Sequence, residues 1–208
     1  MPLPPAAPDR QLKHRREIDV RVFLRSDGLW EVDATLKDTK TRIAQMADGP
    51  RAPGQPIHDM LLRLVVNRQL DILEAGSDTL AMPYPGICGD HGDAYQALVG
   101  LNLLQNFHRQ VRERLGGVKA CTHITELAQV LPTAVVQGFA GEVIDTRGTS
   151  EGAQQPFQID RCHALRSSGE AVREHYSRWY RPAPDDRPSD RPTLTDRLTD
   201  RPTDRPID

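Results

Sequence analysis

The chain has 208 residues, 38% of them hydrophobic and 27% charged, enough for one domain with a buried core and residues left over. Its formal net charge is −2 and its pI about 6.4, so no global basic field marks a nucleic-acid partner. The longest apolar runs, such as Met60–Val66 interrupted by Arg63, are far too short to span a bilayer, and the N-terminal MPLPPAAPDRQLKHRRE has no apolar stretch of signal-peptide length.

Taken in chain order, residues 1–16 are Pro-rich and then basic, which suits a mobile arm. Residues 17–180 are expected to form a single globular domain. Ile18, Val20, Val22 and Leu24 alternate with polar neighbours as in a strand, and Ser26-Asp27-Gly28 is a hairpin turn signal. Trp30, Val32, Ala34 and Leu36 alternate on a second strand. Residues 46–56 read as a Gly/Pro loop. Met60–Val66 is a third strand, Asn67-Arg68-Gln69 a turn, and Leu70–Ala75 a fourth strand. Short turns between successive strands point to an antiparallel meander.

Helical periods follow. Asp93–Leu104 carries Tyr95, Leu98, Val99 and Leu101 at helical spacing. Phe107, Val111 and Leu115 repeat at i, i+4 and i+8, with Gly116-Gly117 as the stop. Ile124, Leu127, Ala128 and Leu131 make another apolar face, limited or kinked by Pro132. After a loop at 145–156, Phe157–Leu165 and Ala171–Tyr176 read as a late β-hairpin. The fold class is therefore α+β, a meander sheet with helices packed on one face and a hairpin at the end. Residues 181–208 are a degenerate Asp-Arg-Pro-Thr repeat of alternating charge. They are too poor in apolar residues to offset chain entropy, so a disordered tail is expected.

Three cysteines cannot all pair within one chain, and that count fits a reducing cytoplasm. Each has a His within three residues. Ile87-Cys88-Gly89-Asp90-His91 lies in a rigid Pro/Gly loop. Cys121-Thr122-His123 lies where a helix starts. Cys162-His163 falls on the expected late strand, where Cys162 reads first as a small core residue. A fourth stretch, His58-Asp59, precedes the third strand, although Asp59 could simply satisfy turn groups and His58 sit at the surface. Thr122 and Glu126 need no function, being an N-cap and a first-turn acid. Asp38-Thr39-Lys40 is read as structural. Thiolate and imidazole together are ligands for zinc or iron, assembled here from distant loops. The candidate ligands are His58, Asp59, Cys88, Cys121 and His123.

Two resemblances bear on this set. The segments DGLWEVDATLKDTK, PIHDMLLRL, PYPGIC, LGGVKACTHITEL and CHALRSSGEAV resemble the bacterial domain-of-unknown-function family 2889, over most of residues 15–180. The family's name implies no established activity, and the resemblance implies one domain with dispensable ends. Over residues 55–130, the order of ligand pair, strands, Cys loop, helix and Cys at a helix start is similar to NifU/IscU-type iron–sulfur scaffold proteins. In that family a CGD motif opens a strand and two further cysteines follow. Asp59 matches its acidic position, Cys88 the second Cys and Cys121 the third, while Ile57 replaces the first and His58 is the nearest substitute. The resemblance implies the fold and a metal. Two thiolates with His and Asp suit a single zinc or iron ion better than a cluster.

The leading expectation is a single zinc or iron ion, structural if four side chains bind it and hydrolytic or lyase-type if three do. One alternative is a metal-free accessory or binding module with core cysteines. Another is a thiol enzyme with Cys121 as nucleophile and His58 or His123 as base. No glycine-rich phosphate loop or dinucleotide fingerprint is present, so no nucleotide cofactor is expected. The expected partner is an unidentified small molecule or protein, with neither nucleic acid nor membrane.

Overall fold

The two-residue apolar period of residues 18–24 belongs to a strand. In the computed structural model, which describes residues 3–90, 93–148 and 154–183, it becomes β1 (His14–Leu24), joined through a turn at Gly28 to β2 (Trp30–Lys40). A small hairpin of β3 (Ala44–Met46) and β4 (Gly49–Arg51) follows. The chain returns in β5 (Pro56–Val66) and β6 (Ile72–Ala81). The main sheet has the order β1-β2-β5-β6, antiparallel throughout, which is the expected meander. The hairpin β3-β4 occupies what reads in the sequence as a Gly/Pro loop.

Register decides which side chains share a face. Trp30 lies opposite Val66, Val32 opposite Leu64, Ala34 opposite Leu62 and Leu36 opposite Met60, and all eight are buried. The next pair in this row is Asp38 and His58, with Arg16 of β1 opposite Asp38 on the other side. The apolar row thus ends in a polar group on the same face of the sheet. The opposite face carries ion pairs beside Leu61 and Val65: Arg63 grips Asp33 through Nε and Nη2, both at 2.6 Å, and Lys37 reaches Asp59 at 3.1 Å.

Helices α1 (Phe107–Leu115) and α2 (Thr122–Phe139) join the inner row in one core. α2 contributes Ile124, Leu127, Ala128, Leu131, Val135 and Phe139 at i, i+3/i+4 spacing. Pro132 lies inside this helix and does not end it. Burial of both its neighbouring turns outweighs the hydrogen bond it forgoes. The helix expected over Asp93–Leu104 is instead a 3₁₀ segment, Ala94–Leu98. Beyond it Gly100 takes φ +79°, and residues 100–103 bond to the start of β6 and the turn before it, through Gly100 N to Ile72 O, Ile72 N to Leu101 O and Leu103 N to Leu70 O. Those bonds replace the helical ones. Residues 14–16, expected in the N-terminal arm, are the first of β1.

α2 passes close over β1 at Gly138. A Cβ placed there would stand 2.9 Å from Val22 Cγ1 and 3.1 Å from its Cβ, and a β-branched side chain has no rotamer that withdraws both. Gly138→Ala gains about 1 kcal/mol of helix propensity and loses about 1–3 kcal/mol to overpacking. A net destabilisation of about 1 kcal/mol is expected in urea unfolding. The double variant with Val22→Ala should recover part of it, and no recovery would mean that this contact is not the cause.

The described residues fall into two compact units, one ending at Ile144 and one beginning at Asp145. In the second, the late β-hairpin is not formed. Phe157–Leu165 folds as turns ending in a 3₁₀ segment, His163–Leu165, and α3 (Glu170–His175) takes the place of the second strand. Asp160 is the reason: at φ +61° it leaves the extended region, its N–H meets Leu165 O, and its Oδ1 accepts the Ser167 N–H at 2.7 Å. Cys162, read as a core residue, is exposed. Residues 184–208, nearly all of the repeat tail, lie outside the described residues.

Candidate functional site

Asp38 is 2% exposed, the one buried charged residue among those described. It accepts two hydrogen bonds from Arg16, Nε to Oδ1 at 2.8 Å and Nη2 to Oδ2 at 2.7 Å. His58 Nδ1 lies 2.9 Å from Oδ2, and His14 Nε2 lies 3.2 Å from Oδ1. Burial alone would raise the carboxyl. The bonds from Arg16 and His58 outweigh that and hold it at about 2. An ionised Asp38 can only accept, so His58 donates from Nδ1, and in the neutral ring the lone pair is left on Nε2. Arg16 reaches onward to Glu126 of α2, Nη1 to Oε2 at 2.6 Å. One guanidinium thereby ties β1, β2 and α2 around the carboxylate.

His123, in the first turn of α2, stacks on His58 with ring centroids 3.9 Å apart and 32° between planes. Its pKa is lowered, first by burial and then by the neighbouring His58 and Arg16, so the ring is neutral at pH 7 and has a lone pair to offer. Cys121, the N-cap residue of α2, places Sγ 3.9 Å from His123 Nδ1 and 3.9 Å from the Met60 sulfur. Tyr95 fixes this corner. Its hydroxyl donates to Cys121 O at 2.8 Å, and burial pushes its pKa up to about 12. A cleft of about 650 Å³ opens beside these side chains, with His58, Met60, Cys88, Cys121 and His123 on its wall.

A family model described as "Protein of unknown function (DUF2889)" matches residues 14–137. The chain belongs to this family. The DUF2889 span runs from the first residue of β1 nearly to the end of α2 and includes the whole cluster. No curated protein and no solved structure matches the chain, so the NifU/IscU likeness gains no support from either comparison.

Of the residues singled out from the sequence, His58, Cys88, Cys121 and His123 line one cleft of this DUF2889 protein. Asp59 does not join them: strand alternation turns it to the other face, where it pairs with Lys37. Ligand atoms of Asp38, His58 and His123 lie within 4.8 Å of one another. Asp38 is the residue that sequence reading missed, together with its partner Arg16. One signal was available, since continuing the Trp30–Leu36 alternation by one step puts Asp38 on the core face. Both Asp38 oxygens already hold Arg16, which makes the carboxylate a better orienting group for His58 than a direct ligand. Glu126, read as a first-turn acid, is the partner of Arg16.

Proposed function

We propose that this DUF2889 protein binds a single zinc or iron ion through His58, His123 and Cys121, with Cys88 as a further donor on the cleft wall. The observation carrying this reading is the Asp38–His58–His123 group. A buried carboxylate fixes the tautomer of one imidazole, whose free nitrogen shares a cleft with a second neutral imidazole and a thiol. A histidine whose second nitrogen is bonded to a carboxylate is a recurrent arrangement around metal ions. With three donors the ion keeps an open position for water, and hydrolytic or lyase chemistry follows; with four it is structural. Among the described residues no helix is long and apolar enough to cross a membrane, and three free cysteines favour a reducing, cytoplasmic location.

The contact between Cys121 and His123 also supports the thiol-enzyme reading, and one experiment separates the two. Protein purified without a His tag is expected to hold close to one zinc or iron per chain by elemental analysis, to melt at lower temperature after chelation, and to alkylate faster at Cys121 once the metal is removed. No metal and no chelator effect would overturn the proposal. Rapid alkylation of Cys121 alone would then favour a thiol enzyme, and inert Cys88 and Cys121 a metal-free binding module.

A further inference from the structure

The inner wall of the cleft carries His58, His123 and Cys121 beside Met60, and its exposed border mixes Asp90 and Lys119 with three large apolar side chains. Tyr84 is 56% exposed and Ile87 75%, and Val118 is wholly exposed; all three border the cleft that holds His58, Cys121 and His123. They stand on two separate segments. The loop at 84–90 is built, with Ile87 N and Cys88 N both bonded to Tyr84 O and Asp90 N to Ile87 O. The segment bearing Val118 is a 3₁₀ turn, opened by Gly117 at φ +70° and anchored by Lys119 Nζ on Glu113 O at 2.7 Å. Ordered loops that hold apolar side chains in water at the mouth of a cleft point to something that covers them. About 650 Å³ is the size of a small-molecule site. The inner wall offers imidazole and thiol groups, whereas the border offers Ile87, Val118 and the Tyr84 ring, with Asp90 and Lys119 next to them.

We infer that the ligand of this cleft is a small amphiphile, with one metal-ligating head at His58 and His123 and an alkyl or aryl body seated between Ile87 and Val118. The head rests on the metal reading above; the apolar seat does not. A lone polar metabolite would leave these apolar side chains in water, and a protein segment would not need a concave inner wall of imidazole and thiol.

The test compares acetohydroxamate with octanohydroxamate on the zinc-loaded protein by calorimetry. The octyl chain should bind at least about tenfold more tightly, since each buried methylene adds to affinity. Ile87→Asp and Val118→Asp, both at exposed positions, should abolish that gain while leaving acetohydroxamate binding and zinc content intact. Equal affinity of the two hydroxamates, or a gain indifferent to both substitutions, would overturn the inference and leave the metal reading standing. In metal-free protein the dye 1-anilinonaphthalene-8-sulfonate isolates the seat. Fluorescence enhancement lost on Ile87→Asp supports it even where no zinc binds, and enhancement that is absent or unaltered by Ile87→Asp counts against it.

Discussion

Asp38→Asn is expected to lower the unfolding free energy by about 3 kcal/mol at pH 7, the low end for breaking a buried ion pair. The side chain of Asp38 is 3% exposed and accepts from Arg16, His58 and His14. An amide of the same shape turns one acceptor into a donor facing Arg16 and removes the charge that the guanidinium was placed to meet. Arg16 itself is 33% exposed, so water compensates part of the loss. The same contact dictates an acid response. The folded carboxyl sits at about 2 against 3.8 when unperturbed. Above about pH 5 neither state binds the proton, and the stabilisation is complete. As pH falls from about 5 towards 2 the unfolded chain takes up the proton first, and about 2 kcal/mol is lost. Urea unfolding from pH 7 to pH 2 should show this loss in the parent protein and not in Asp38→Asn. A variant as stable as the parent at pH 7 would remove Asp38 from its central place.

The second large effect concerns the proposed metal ion. Zinc affinity, measured by competition with a chelating dye, should fall roughly 10–100-fold in Asp38→Asn, the usual cost of losing the group that orients a ligating histidine. His58→Ala and Cys121→Ser should each cost more, because they delete a donor instead of misaligning one. Asp59→Asn should change nothing, since its partner is Lys37 on the far face of the sheet. Measurements belong well below each variant's melting temperature, so that affinity and stability are read separately. Equal affinities across His58→Ala, Cys121→Ser and the parent would place any bound ion elsewhere.

Sheet and helix order could be read from the sequence because apolar period reports directly on which face is buried. The alternation from Trp30 to Leu36 and the four-residue spacing of Phe107, Val111 and Leu115 survive unchanged in the fold, whereas on the edge strand β1 Val20 and Val22 pack against the core while Ile18 and Leu24 are exposed. What failed was local. The 93–104 period resembles a helix, but its backbone bonds to β6, and no periodicity signals a competing partner thirty residues away. The late hairpin failed because one left-handed residue, Asp160, ended the extended run. In the site, Cys and His declared themselves by rarity. Asp38 and Arg16 did not, as each belongs to a residue type that is ordinarily solvent-facing. Their role arises from cross-strand register, which is a property of pairs of strands.

Arg16 carries a further consequence. It is the third residue of β1, a strand hydrogen-bonded to one neighbour only, and such ends open locally long before a domain unfolds. Fraying of three residues would release the guanidinium from Asp38 and Glu126 while the apolar core stayed shut. The clasp on the carboxylate is thus kinetically softer than the scaffold beneath it. Amide exchange at Arg15–Glu17 reports on the integrity of the cluster more directly than any global melting curve. A fusion partner or tag that tugs on the residues before His14 acts on the Asp38 cluster first and on the fold last.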